Sequence, residues 1–392
     1  MIQGRIKRKI YFSICGIFSV LNNLIKKNNK LIFFFSTSEL YDNSAALFYH
    51  LVHNKYNSKY RIVCAVRKPK NYLHLKYKNV KFINVYFSVW YILHSKFIFY
   101  HNEIIAIKPS KKQISIDFWH ATTVKKINKM IDPHYKYDFF TYITVTSELF
   151  RPIFAQAFGC NLERIIINGH PRNDYLFDSI DELHKLLNQK TYKRVFIWMP
   201  TYRLTYNYVW QDTDEKFLNE TGLPLLECYD DLNNLNTFLL LNSCFLIIKI
   251  HPTQNMNYQY NNLSNINYLF NEDIIKNNIN LYSLLKQMDA LITDYSSVYY
   301  DFLLLNKPIA FTIDDIEAYS KKRGFVFDEP MQYMPGEKVR NLNDLYTFIK
   351  NCINDIDNFK EERRVINELV NEYKDGNNCR RILDIAGINL LN

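Results

Sequence analysis

Apolar runs closed by short polar clusters recur along the chain, alternating with segments in which apolar residues fall at helical spacing. The run in NNKLIFFFST (28–37) reads as a buried strand, and SAALFYHLVHNKY after it has the spacing of a helix with one apolar face. YRIVCAV, VKFINV, KFIFYH and KQISIDFWH continue the series, and RIIINGHPRNDYLF (164–177) follows. After the polar helical stretch SIDELHKLLNQK the rhythm restarts with KRVFIWMPTYR, CFLIIKIHP, INYLF, MDALITDYSS and PIAFTIDD. Strands of continuous apolar character alternating with helices predict parallel sheets covered on both faces. The expected architecture is therefore α/β, with two Rossmann-like doubly wound domains facing a cleft. The expected boundaries are a basic and apolar membrane-proximal segment over 1–29, a first domain over 30–172 and a second over 173–392.

At 392 residues the chain is long for one core, which agrees with two domains. Only nine glycines are present and none forms a G-x-G, so a glycine-rich dinucleotide or phosphate loop is excluded. The seven cysteines are scattered and include no C-x-x-C, which argues against a zinc ribbon or a disulfide framework. Net charge is +10, which favours an acidic partner: a phosphate-rich substrate, an anionic membrane or nucleic acid. The first thirty residues have a basic start, an apolar middle and a basic end. Their apolar part, Ile10 to Leu21, is too short to span a bilayer and lacks a cleavage site. Two readings fit it: an interfacial helix with lysines reaching headgroups, or a helix docked on the protein's own core. A second apolar stretch, Phe82 to Tyr100, reads as a helix followed by a strand.

In open α/β sheets, ligands gather at the carboxyl ends of strands. Five polar clusters fall there: Trp119-His120-Ala121-Thr122, Asn168 to Asn173, Pro200 to Arg203, Lys249-Ile250-His251-Pro252, and Asp294-Tyr295-Ser296-Ser297. The last raises a specific question, because a serine pair at a helix start can cap the helix or present hydroxyls to an anion. Together the clusters are basic and rich in hydroxyls and poor in carboxylates, which suits an anionic ligand better than a divalent metal. The Asp212-Thr213-Asp214 triplet is the D-x-D of metal-dependent glycosyltransferases in form, but no clear strand precedes it. No metal and no cofactor is expected.

The motifs WHATTVKK, GHPRND, PTYR, KIHP, TDYSSVYYDF and IEAYSKKRGFVFD…MPG resemble those of the CDP-glycerol glycerophosphotransferase family, from about residue 31 to about 375. The resemblance implies a glycosyltransferase B fold and transfer of an alditol phosphate, glycerol or ribitol, from a CDP-alditol. The acceptor would be a hydroxyl of an anionic polymer or lipid-linked molecule, with CMP released, in teichoic acid-like or capsular polymer synthesis. It implies a peripheral enzyme on the cytoplasmic face of the membrane. His120 is then the general base, and His251 the second catalytic residue, acting on the donor phosphates. Arg203, Ser296, Ser297, Asp294, Lys249 and Arg323 would bind donor phosphate or nucleotide, with Asp294 orienting His251 or the loop. Thr122, Lys125, Arg172 and Asn173 would position the acceptor or its loop. One departure stands out: Ala121 and Thr123 occupy positions where the family usually has Gly and Pro, so a different loop backbone is expected. A nucleotide-sugar glycosyltransferase of the same fold is the alternative. A non-catalytic nucleic-acid-binding protein is disfavoured because the positive charge is dispersed and no basic helix appears.

Overall fold

Thirteen strands, all in parallel ladders, form two sheets in the computed structural model, which describes residues 2–101, 105–135, 137–187, 190–201, 219–251 and 263–390, with side chains from 11 onward. Two compact units result. Unit 1 comprises Met1–Thr122, Asn128–Asp174 and Glu372–Asn392, and unit 2 comprises Thr123–Ile127 and Tyr175–Asn371.

Unit 1 contains β1 (Asn28–Phe35), β2 (Arg61–Val66), β3 (Val80–Asn84), β4 (Ser95–Tyr100), β5 (Ile114–Asp117), β6 (Tyr142–Val145) and β7 (Ile165–Ile167), in the order β3-β2-β1-β4-β5-β6-β7. Leu31 through Phe35 are buried consecutively, as a strand covered on both faces requires. Unit 2 contains β8 (Arg194–Met199), β9 (Cys244–Lys249), β10 (Ile266–Leu269), β11 (Ala290–Thr293), β12 (Ile309–Thr312) and β13 (Glu337–Val339), in the order β10-β9-β8-β11-β12-β13. Each sheet starts with its first strand in the interior, builds outward in one direction, then resumes on the other side. The switch lies between β1 and β4 in unit 1 and between β8 and β11 in unit 2. That is the doubly wound order, in which the crevice for a ligand opens at the switch.

The amino-terminal helix, Ile2–Leu24, follows the docked reading of its sequence. One face docks on unit 1: Phe12 stacks on Phe139 at 5.8 Å, Cys15 is buried, and Asn22 donates to Lys108 O (2.9 Å) and Gln113 Oε1 (2.6 Å). The other face leaves Ile14, Ile17, Val20, Leu21 and Leu24 exposed. No helix among the described residues is long and apolar enough to cross a membrane. The stretch Phe82 to Tyr100 forms the helix Ser88–His94 and then β4, as its pattern predicts. The polar stretch before β8 is less helical than its composition predicts: among the described residues only His184–Leu187 form a helix there.

The Met334-Pro335-Gly336 motif has a packing role. Met334 is buried, and a Cβ on Gly336 would lie 2.3 Å from the Ile309 carbonyl oxygen of β12. Only hydrogen fits where the chain enters β13, so Gly336→Ala is expected to destabilise the protein by roughly 1–3 kcal/mol through overpacking. Urea denaturation measures this, and an unchanged midpoint would show that β13 can shift away.

Candidate active site

In unit 2, β8 and β11 run side by side with Met199 opposite Thr293, so the residues that follow them line the switch point. Asp294 is 0% exposed. Its carboxylate accepts from Thr201 N (2.9 and 3.0 Å to the two oxygens), Thr201 Oγ1 (2.6 Å) and Ser296 N (3.1 Å). Burial of a carboxylate is tolerable because donors replace its water. Tyr295 is also buried: its hydroxyl donates to Asp315 Oδ1 (3.0 Å), and its ring packs on Tyr319 (4.4 Å) and Phe325 (5.3 Å). These two side chains lock the loop from both sides. Ser296 and Ser297 remain half-buried, and neither hydroxyl makes a hydrogen bond among the described residues. Ser297 precedes the helix Val298–Phe302 but makes no side-chain cap bond, so capping does not explain the serine pair.

His251 follows β9 and is half-buried. Burial, then Lys125 and Lys249, push its pKa down to about 4, with Asp294 pulling the other way. Lys125 reaches this group because Thr123–Ile127 folds onto unit 2. Lys125 forms an antiparallel bridge with Phe325, Lys126 N donates to Gly324 O (3.1 Å), and Val326 N donates to Val124 O (2.8 Å). Gly324 has φ +75°, a turn suited to glycine, and Arg323 beside it closes the helix Ile316–Lys322. Lys249 is buried, and its ammonium donates to Ile250 O (2.7 Å) and Asn271 Oδ1 (2.8 Å). Burial brings its pKa down to about 8 against the pull of Glu272 and Asp273. It therefore acts on His251 through its field. Arg203, Asp212 and Asp214 lie outside the described residues. Among those described, no group of three or more His, Cys, Asp or Glu is placed to hold a metal ion.

In unit 1, His120 follows β5 and is exposed. Trp119 before it has φ 49°, which costs about 1–2 kcal/mol for a residue with a Cβ. Its N–H donates to Asp117 Oδ1 (2.7 Å), and its buried ring meets Tyr137 (5.5 Å) and Phe158 (4.9 Å) edge to face, which offsets that cost. Ala121 is outside the left-handed region, so its methyl group is no burden where a glycine is usual. Thr122 is buried; its N–H donates to His170 Nε2 (3.2 Å) and its hydroxyl meets Thr146 Oγ1 (3.0 Å). Arg172 Nη1 donates to both oxygens of Asp42 (2.8 Å each) and to His120 O (2.6 Å). Burial alone would raise the Asp42 pKa, but Arg172 and His101 outweigh it and hold the carboxyl below its usual range. Asn173 is buried, with its N–H on His170 O (2.9 Å). Unit 1 thus gathers His120, Thr122, Arg172 and Asn173 at its carboxyl edge. Asp42, His101 and His170 complete the group, and of these the first two carried no motif to mark them.

Comparison with known proteins agrees with the motifs. The teichoic acid glycerol-phosphate primase of Bacillus subtilis (strain 168) is 27% identical over 76% of this chain and 74% of its own length. The teichoic acid glycerol-phosphate transferase of Staphylococcus aureus (strain NCTC 8325 / PS 47) is 25% identical over 97% of this chain and 98% of its own. The solved structure of the wall teichoic acid polymerase TagF superposes with a TM-score of 0.72 at 21% identity, covering 98% of this chain and 96% of that one, so the fold is the same. The profile of one family matches residues 17–386, from within the first helix to the last, and by that match the chain belongs to the CDP-Glycerol:Poly(glycerophosphate) glycerophosphotransferase family.

Proposed function

We propose that the protein transfers glycerol phosphate from CDP-glycerol to a hydroxyl of a membrane-linked or polymer acceptor, releasing CMP, in the synthesis of a teichoic acid-like or capsular polymer. The observation that carries the site assignment is the unbonded hydroxyl pair, Ser296 and Ser297, at the switch point of unit 2. The donor diphosphate goes there. Lys125, Arg323 and His251 supply positive charge or hydrogen bonds, and Asp294 holds the loop without touching the ligand. Family membership supports the donor's identity.

Phosphoryl transfer of this kind needs positioning and charge neutralisation more than covalent help. His120 takes the proton of the acceptor hydroxyl, whose oxygen then forms the new bond to the β-phosphorus as the bond to CMP breaks. Arg172 holds the backbone of His120 and so sets where its ring can reach. The departing CMP gains negative charge, which the His251 group stabilises. The membrane-surface reading is supported by the exposed apolar face of the first helix, and the cytoplasmic side is part of the same proposal.

His120→Ala is expected to lower kcat by roughly two to four powers of ten with little change in donor Kd, because a base acts on the acceptor. Ser297→Ala and His251→Ala are each expected to weaken donor binding by about one to two powers of ten, the loss of hydrogen bonds to charged phosphate. Calorimetric Kd values beside single-turnover rates separate these effects. Loss of donor binding in His120→Ala with normal binding in His251→Ala would reverse the assignment.

Donor binding should also take up a proton. Free His251 is neutral at pH 7 because its pKa is near 4, below the ordinary 6.5. A neighbouring diphosphate raises it, so affinity should increase as pH falls from 7 towards 5, by up to about tenfold per unit for one proton. Calorimetry in buffers of different ionisation enthalpy counts that proton. The count should fall to zero in His251→Ala.

Turnover is expected to survive a chelator, since the assigned groups are His, Lys, Arg and Ser. Complete loss with EDTA, restored by Mg²⁺ or Mn²⁺, would bring Asp212 and Asp214 back into the mechanism.

A further inference from the structure

The candidate residues of unit 1 all lie at the carboxyl edge of its sheet. The opposite edge, where β1, β4 and β5 begin, holds a cavity of about 690 Å³. Its lining includes Leu24, Lys26, Lys27, Lys96, Lys111 and Lys112, and among the described residues no acidic one lines it. Concentrating five ammonium groups without a carboxylate is unfavourable unless an anion joins them. Lys27 is buried with its three donors on neutral oxygens, Asn22 O, Asn22 Oδ1 and Leu93 O, all at 2.6 Å. Burial, with Lys112 adding to it, brings its pKa down to about 8, and none of its three bonded oxygens is a counterion. Nearby Lys108 is different, since its ammonium pairs with Asp138 at 3.4 Å.

A second observation specifies the anion. Ile14, Ile17, Leu21 and Leu24 recur at the spacing of a single helix face, all are exposed, and Leu24 is also part of the cavity wall. An apolar stripe that ends at a basic cavity roomy enough for a whole lipid headgroup matches an amphiphile with an anionic head. We propose that this cavity binds the phosphate headgroup of an anionic lipid while the stripe lies in the adjoining acyl layer. The proposal rests on the membrane reading above and adds a headgroup site to it. The size falls within the ~300–1,000 Å³ of ligand clefts.

The test uses the full chain in three forms. The first is wild type. The second carries Lys26→Gln, Lys111→Gln and Lys112→Gln. The third carries Lys190→Gln, Lys276→Gln and Lys360→Gln, exposed lysines that remove the same charge elsewhere. Co-sedimentation compares phosphatidylcholine vesicles with vesicles also containing phosphatidylglycerol. Wild type should prefer the anionic vesicles, and the cavity variant should bind them about a hundredfold more weakly than the control variant does. Equal losses in the two variants, or no preference in wild type, would overturn the proposal. A short-chain phosphatidylglycerol below its micellar concentration gives an independent calorimetric reading. One site should be seen in wild type and none in the cavity variant, and absence of a site in wild type would overturn the proposal. Inorganic phosphate binding as tightly as that lipid would overturn the lipid assignment. Ile17→Ser with Leu21→Ser should reduce binding to both vesicle types while leaving the short-chain lipid site intact. If those serines change nothing on vesicles, the membrane reading fails separately from the headgroup site.

Discussion

The Asp294 carboxylate, shut away from water, joins the ends of β8 and β11 where the strand order of unit 2 turns back. Its donors come from Thr201 and Ser296, so one group sets both the separation of the two strand ends and the direction of the serine loop. Leaving a buried polar partner unsatisfied costs about 1–3 kcal/mol, more for a charged one, so the arrangement tolerates little movement. Tyr295 anchors the next residue on the other side, through Asp315, Tyr319 and Phe325. The two hydroxyls that follow are therefore presented by a backbone already fixed, which would lower the ordering cost for a ligand bound there as proposed.

Unit 1 solves the same problem with opposite charge. There a guanidinium is the fastener: Arg172, which follows β7, reaches Asp42 at the start of the helix after β1 and the His120 carbonyl after β5. A polar tie within the carboxyl edge of each sheet holds a candidate site residue that is itself more accessible. The strained Trp119 fits this picture, since its buried ring keeps the left-handed backbone in place and leaves His120 exposed beside it.

The strands were legible wherever an apolar run was long enough to contrast with its flanks, as in β1, β8 and β9. β6 has little contrast, because YITV sits among FFT and TSE with only two aliphatic residues of its own. β13 is three residues at a sheet edge with a single buried side chain, and it carries almost no pattern. At the site, residue types within motifs were readable, but what each side chain bonds was not. Asp42, Thr201 and Asp315 are brought in by pairing across distant parts of the chain, which no local spacing encodes. Lys125 is the instructive case. Its motif neighbours His120 and Thr122 belong to unit 1, yet five residues from Thr123 to Ile127 fold with unit 2 and carry Lys125 to His251. The expectation that Ala121 alters the loop also assumed a left-handed position there, and the structure puts that position at Trp119.

That short crossing bears on how such an enzyme can change over evolutionary time. Neither unit is encoded by one uninterrupted stretch of gene: unit 1 also needs Glu372–Asn392, whose helix Asn378–Ala386 is capped by Asp174 through the Asn378 and Cys379 amides at 2.8 Å. A recombination joint near residue 175 would deliver a new unit 2 without its own Thr123–Ile127 ribbon. The incoming His251 would then face a lysine inherited from a different parent, and the incoming chain would end in a helix shaped for another Asp174. With the donor placed in unit 2 as proposed, its specificity would be shielded from exchange by a single crossover, and the lineage would be left to alter it one side chain at a time.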